Sequence, residues 1–210
     1  MSRRQSQQSA PPMKRPIPNQ GGFSLPYREL LANVQRFYVW LDAAAATDSV
    51  VLSSETDAAA FRRGVAELMD RQMLSRAVQV FAGMTAESAL NTYGLIRFGE
   101  ATFERCFARR GPVWRLTEMA KHGAGRVLAK GDPLVCTLES LCEKRNRLVH
   151  PRAEEAAFDR SMTLVPASTP QAHRYLTEAD AAYREVHAFL RAFADLDSET
   201  QTFLWPLTQG

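Results

Sequence analysis

Two stretches of this chain have the period of a buried helical stripe, and each carries a charge where the period calls for an apolar side chain. In residues 133–149, Leu134, Leu138, Leu141, Arg145 and Leu148 recur at steps of four, three, four and three, the spacing that aligns side chains on one helix face. In residues 71–97, Met73, Ala77, Val80, Met84 and Glu87 repeat the same steps. A guanidinium or carboxylate withdrawn from water is costly unless it is paired. The spacing therefore predicts that the two helices pack with Glu87 against Arg145, in a charge-assisted pair that fixes the arginine fork. The alternative is that Glu87 sits at the edge of its stripe and reaches water.

The helix at 133–149 has clear limits. Asp132 is a good N-cap, and Pro133 suits the first turn, where its missing N–H costs nothing. At the other end His150 precedes Pro151, which pushes it out of the helical region. An arginine and a histidine thus converge at the frayed end of a buried helix.

Helical patterns also account for the rest of the chain. Residues 1–26 are rich in Ser, Gln, Pro and Gly, with little to bury, and read as a disordered basic tail. Helices are expected near 27–46, 55–69 and 71–97, the last two able to run on as one, with Ser54 or Thr56 as the N-cap of the second. Shorter ones follow near 100–109 and 112–122, then 133–149. Residues 161–176, with Pro166 and Pro170, read as a loop or short extended piece, and a last helix near 178–196 opens after Thr177. No strand alternation is persuasive. The fold expected is an all-α antiparallel bundle over residues 27–197, with 198–210 as a C-terminal tail.

Several classes of function are disfavoured. No run of about 18 apolar residues is present, so no membrane span is expected. The basic N-terminus has no apolar stretch behind it, against a secretory signal. Cys106, Cys136 and Cys142 are odd in number and lack C-x-x-C spacing. They read as reduced core or half-buried residues of a cytoplasmic protein, not as a zinc site or disulfide framework. His122, His173 and His187 show no ligand spacing and read as surface or capping residues. No phosphate loop, Ser-His-Asp order or nucleotide fingerprint appears, so neither a cofactor nor a metal is expected.

Charge is unevenly spread. Residues 105–152 hold eleven Lys/Arg against four Asp/Glu, whereas residues 153–210 hold four against nine. The basic block contains the helix end described above, and a positive surface there would draw a polyanion and hold its phosphates. The alternative is a solvated face balanced by the acidic C-terminal helix. Phe103, Phe107 and Trp114 read as core, so base-specific readout is not indicated.

The segment Arg145-Asn146-Arg147-Leu148-Val149-His150 resembles the Arg-polar-x3-His signature of HEPN-domain proteins, a family of small helical bundles. The signature spans six residues, and a looser likeness, a long helix near 71–96 followed by a basic helical segment, covers about 80 more. Many members of that family are metal-independent ribonucleases of toxin–antitoxin, phage-defence and RNA-processing systems. The resemblance implies Arg145, Asn146 and His150 as catalytic residues; the paired stripes add Glu87 in support, and the basic block offers Lys144, Arg147 and Arg152 to hold RNA. The resemblance also implies a homodimer that pools two motifs in one cleft. Attack by the ribose 2′-hydroxyl needs a base and an acid, roles open to histidine near neutral pH. It also needs a cation on the phosphate, which suits arginine. Asn146 can orient the imidazole or the phosphate. One subgroup of the family continues as His-x-Tyr, the tyrosine being modified by a partner antitoxin; here position 152 is Arg, so that scheme is not supported. Two readings follow. One is an endoribonuclease, a toxin or defence effector with an antitoxin or other protein partner. The other is a non-catalytic helical dimer that binds RNA or a protein.

Overall fold

The computed structural model describes residues 26–46, 58–149 and 170–197. Within them the fold is all-α: α1 (Pro26–Ala46), α2 (Ala58–Phe98), α3 (Glu100–Cys106), α4 (Pro112–Gly123), α5 (Pro133–Val149) and α6 (Pro170–Ala194). Prolines open four of these helices, at positions where the first-turn N–H has no intrahelical partner to lose. At the start of α5 the expected cap is formed, the Leu134 N–H donating to Asp132 Oδ1 at 2.9 Å.

The segments expected near 55–69 and 71–97 are one helix. At 41 residues α2 is about 60 Å long, and every other helix packs against it. It stops at Gly99, whose φ of 75° turns the chain into α3; a side chain there would be strained. α6 departs from expectation. Pro170 begins the helix where a loop was expected, and Thr177 lies inside it. His173 is thus helical too, not in a loop. A proline reads equally as a turn residue or as the first residue of a helix, and here the second applies. The N-cap candidates Ser54 and Thr56, and the tails 1–25 and 198–210, lie outside the described residues.

One apolar core runs through all six helices. Tyr27, Leu31, Val34 and Leu41 of α1 meet Val78, Ala82, Ala86, Ala89, Leu90 and Tyr93 of α2 in it. Leu134, Leu138 and Leu141 of α5 and Val186, Phe189 and Phe193 of α6 join the same cluster. The buried face of α2 is not the stripe that its sequence suggested. Met73 and Met84 are 63% and 39% exposed, and Ala77 and Val80 are only partly buried. Several of the residues that face the neighbours are small, Ala82, Gly83, Ala86 and Ala89, which let helices approach closely but stand out little against a period of larger side chains.

α2 and α5 cross closely at Gly83. A methyl built on Gly83 would lie 2.8 Å from both the Leu141 carbonyl oxygen and Arg145 Cβ. Elsewhere a buried polar cluster ties three parts of the chain. Arg97 donates through Nε and Nη2 to the Gly123 carbonyl at 3.0 and 2.6 Å. It also lies 3.4 Å from Asp197, which accepts a hydrogen bond from the Tyr93 hydroxyl at 3.1 Å. Among the described residues no helix is long and apolar enough to cross a membrane.

Gly83→Ala would gain up to about 1 kcal/mol of helix propensity. Against that, its methyl meets backbone that cannot move without shifting α5, and such overpacking costs about 1–3 kcal/mol. The substitution should therefore lower the midpoint of urea denaturation, and Ala82→Gly in the same turn should lower it as well, through lost packing and lost helix propensity together.

Candidate functional site

Three helices converge on one carboxylate. Glu87, in the C-terminal half of α2, accepts hydrogen bonds from Arg145 Nη1 on one oxygen and from Arg115 Nη2 on the other. The expected contact between Glu87 and Arg145 is present, and it is shared. Arg115 comes from α4 and is more deeply buried than Arg145, with side chains 5% and 19% exposed. Its other terminal nitrogen, Nη1, donates to Asn91 Oδ1. Glu87 and Asn91 are one helical turn apart on α2, so they grip the two ends of the Arg115 fork together.

The sequence reading missed Arg115 as a member of this group, although the signal was the same as for Arg145. Arg115, Met119 and Gly123 recur at steps of four, beside Leu116 and Ala120, and all five are buried. A charge on the apolar face of a short helix was a third misplaced residue of the kind already noted twice.

Arg145 is fixed on a second edge. Its Nε and Nη2 donate to Asn146 Oδ1 at 3.1 and 2.9 Å. Gly83 lies one turn before Glu87 on α2, and its missing side chain leaves room for the Arg145 stem. The result is a guanidinium at the end of α5 that is pinned by Glu87, partly exposed, and adjacent to the exposed Asn146. Two of its five N–H donors, one on each terminal nitrogen, remain for another acceptor. The two arginines and one carboxylate carry a net positive charge.

Burial by itself would raise the Glu87 pKa, but the hydrogen bonds and charges of Arg145 and Arg115 outweigh that and hold it below its ordinary 4.5. Cys142 lies within the same electrostatic neighbourhood. Burial pushes its thiol up to about 11, helped by Glu87 and opposed by Arg145 and Arg115. It is therefore a protonated core residue, not a nucleophile.

The other expected site residues are scattered. Lys144 Nζ lies 2.5 Å from Glu185 of α6, which also accepts a hydrogen bond from the Ser140 hydroxyl at 3.1 Å. Lys144 is thus committed to an internal ion pair instead of standing free for phosphate. Arg147 is exposed. His150 and Arg152 lie outside the described residues. Trp114, expected in the core, is 42% exposed. Cys136 is exposed as well, while Cys106 is half-buried. His187 is half-buried against the Tyr183 ring, its pKa lowered by burial and by Arg191, instead of being a surface or capping residue. His122 makes a 3.3 Å contact with Glu118 one turn back on α4. Among the described residues no three His, Cys, Asp or Glu side chains gather as a metal site would need.

No family model matches the chain, and no curated protein or solved structure is similar to it.

The shared carboxylate makes an ordered set of stabilities. Glu87→Gln leaves the buried Arg115 facing a neutral amide and should cost about 3 kcal/mol in chemical denaturation, as for a broken buried pair. Arg145→Met should cost less, about 1–2 kcal/mol, because Arg115 still holds the carboxylate. The double variant Glu87→Gln/Arg145→Met should recover little, since the Arg115 charge remains. Because folding depresses the Glu87 pKa, its contribution is fully present above pH 4.5 and is lost as pH falls below that value. Glu87→Gln should flatten this acid limb. An unchanged limb would show that Glu87 is not held by the two arginines.

Proposed function

We propose that the chain is a metal-independent endoribonuclease of the HEPN kind, an antiparallel helical bundle that acts as a symmetric homodimer with its α5 ends together. The observation that carries this reading is the state of Arg145. It sits at the C-terminal end of α5, held by Glu87 on one side and by Asn146 on the other, partly exposed, with N–H donors to spare. A pinned guanidinium loses little entropy when it takes up a phosphate, and it stays charged at any working pH.

The chemistry follows from these residues. Arg145 would hold two oxygens of the scissile phosphate and stabilise the charge that builds on it as the 2′-hydroxyl attacks. The Asn146 amide N–H groups would orient the same phosphate or the imidazole. His150, four residues beyond Asn146, would take the 2′-hydroxyl proton, and the partner protomer's copy of the motif would supply the acid that protonates the leaving 5′-oxygen. One motif offers a single histidine, which is the reason that the reading includes a dimer. An antitoxin or other partner protein that restrains the enzyme would cover the α5 end, where Arg145 and Asn146 stand.

One observation favours the second reading, a non-catalytic dimer that binds RNA or protein. Three of the five Arg145 donors are already spent inside the chain, as in a purely structural capping pair.

Light scattering should give twice the 23.5 kDa chain mass. In EDTA the wild type should cut single-stranded RNA to 2′,3′-cyclic phosphate ends. His150→Ala should slow cleavage by about 10²–10⁴-fold while RNA affinity is kept. A stable monomer, or cleavage that is indifferent to His150→Ala, removes the ribonuclease reading. A dimer that binds RNA and never cuts it establishes the second one.

A further inference from the structure

Successive residues on a helix point about 100° apart, and Trp114 and Arg115 of α4 divide accordingly. Arg115 is turned in to Glu87 and is buried, whereas the Trp114 indole is 42% exposed. The ring is not loose. The buried Phe107 ring backs it at 6.3 Å between centroids, and the Arg110 guanidinium lies over it at 5.2 Å.

Its surroundings are strongly positive. Residues 105–117 contain four arginines and no acidic residue. Of the four, Arg115 is internally paired, while Arg105, Arg109 and Arg110 are exposed, and no ion pair holds them among the described residues. The acids that flank this run are Glu104, which is exposed, and Glu118, which faces His122. A flat π-face with Arg110 over it, and with the exposed Arg105 and Arg109 a few residues away in the chain, suits an unpaired nucleobase with its phosphates. The base stacks on the ring or on the arginine plane, and the other arginines hold the backbone. A duplex hides its base faces and cannot use the indole. An acidic peptide would use the arginines and leave the indole without a matching partner.

We propose that Trp114, with Arg110, Arg109 and Arg105, is a stacking platform for single-stranded RNA. The choice of RNA rests on the ribonuclease reading, and the platform gives that site its substrate class, an unpaired strand. It lies one residue along α4 from the guanidinium that shares Glu87 with Arg145, and α4 packs directly on α5.

The test measures binding in the His150→Ala protein, so that cleavage cannot intervene. A short labelled oligoribonucleotide without secondary structure is titrated, then its perfect duplex, with inorganic polyphosphate and polyglutamate as competitors. The single strand should bind more tightly than the duplex. Trp114→Leu should weaken single-strand binding by roughly 5- to 100-fold, the worth of one stacked base, with Trp114→Phe in between. Polyphosphate binding, which has no base to stack, should not follow that order. Arg109→Gln with Arg110→Gln should weaken both ligands and reduce the salt dependence. Equal RNA affinity of Trp114→Leu and wild type overturns the platform, as does equal binding of duplex and single strand, or polyglutamate held in preference to RNA. Failure of the two proposals is distinguishable. Binding that depends on Trp114 in a protein that never cleaves overturns the ribonuclease reading alone, and cleavage with affinity indifferent to Trp114 overturns the platform alone.

Discussion

The arrangement of this protein depends on the carboxylate of Glu87. A single half-buried acid between two guanidiniums ties α4 and α5 to the C-terminal half of α2, one oxygen to each. The geometry around it serves that contact. Gly83 and the alanines at 82, 86 and 89 keep α2 thin where its neighbours cross it, so that α5 comes near enough for Arg145 to reach across. Asn91 adds an uncharged acceptor for the deeper arginine, where a second carboxylate would have brought the cluster to neutrality. With one acid for two cations the cluster keeps a net positive charge, and the less buried arginine is the one that faces solvent.

That asymmetry separates two roles within one ion-pair network. Arg115 is almost wholly withdrawn from water, so its value is structural: it fixes Glu87, and Glu87 in turn fixes Arg145. Arg145 is held firmly yet retains donors, the combination that phosphate binding requires. The neighbouring thiol of Cys142 adds nothing reactive, since burial keeps it protonated.

The basic block between residues 105 and 152 is similarly divided. Part of it is paired internally, Arg115 and Arg145 with the shared Glu87 and Lys144 with Glu185 of the last helix. The idea of a face balanced by the C-terminal helix is thus correct for Lys144. It does not hold from the end of α3 to the start of α4, where Arg105, Arg109 and Arg110 are exposed, Arg110 over the Trp114 ring, without a carboxylate pairing any of them among the described residues. A run of charge in sequence is therefore not one surface. The helix period sends some members inward to acids and others outward to water.

Helix type, the cap at Asp132, the extent of α5 and the meeting of Glu87 with Arg145 were all legible in the sequence. Each follows from the spacing of residues within one segment, or from the high cost of an unpaired charge on a stripe. The inward face of α2 was not legible, because a helix touched on several sides has no single apolar stripe and its closest contacts are made by small residues. The start of α6 at Pro170 was hidden by a residue that serves turns and helix starts alike. Arg115 left a periodic trace on α4 that was readable and was passed over, whereas the exposure of Trp114 left none. The sequence by itself determined that buried charges must find partners. Only the tertiary structure decided that two arginines share one acid while their neighbours face water, because which groups meet across helices is set by packing and not by period.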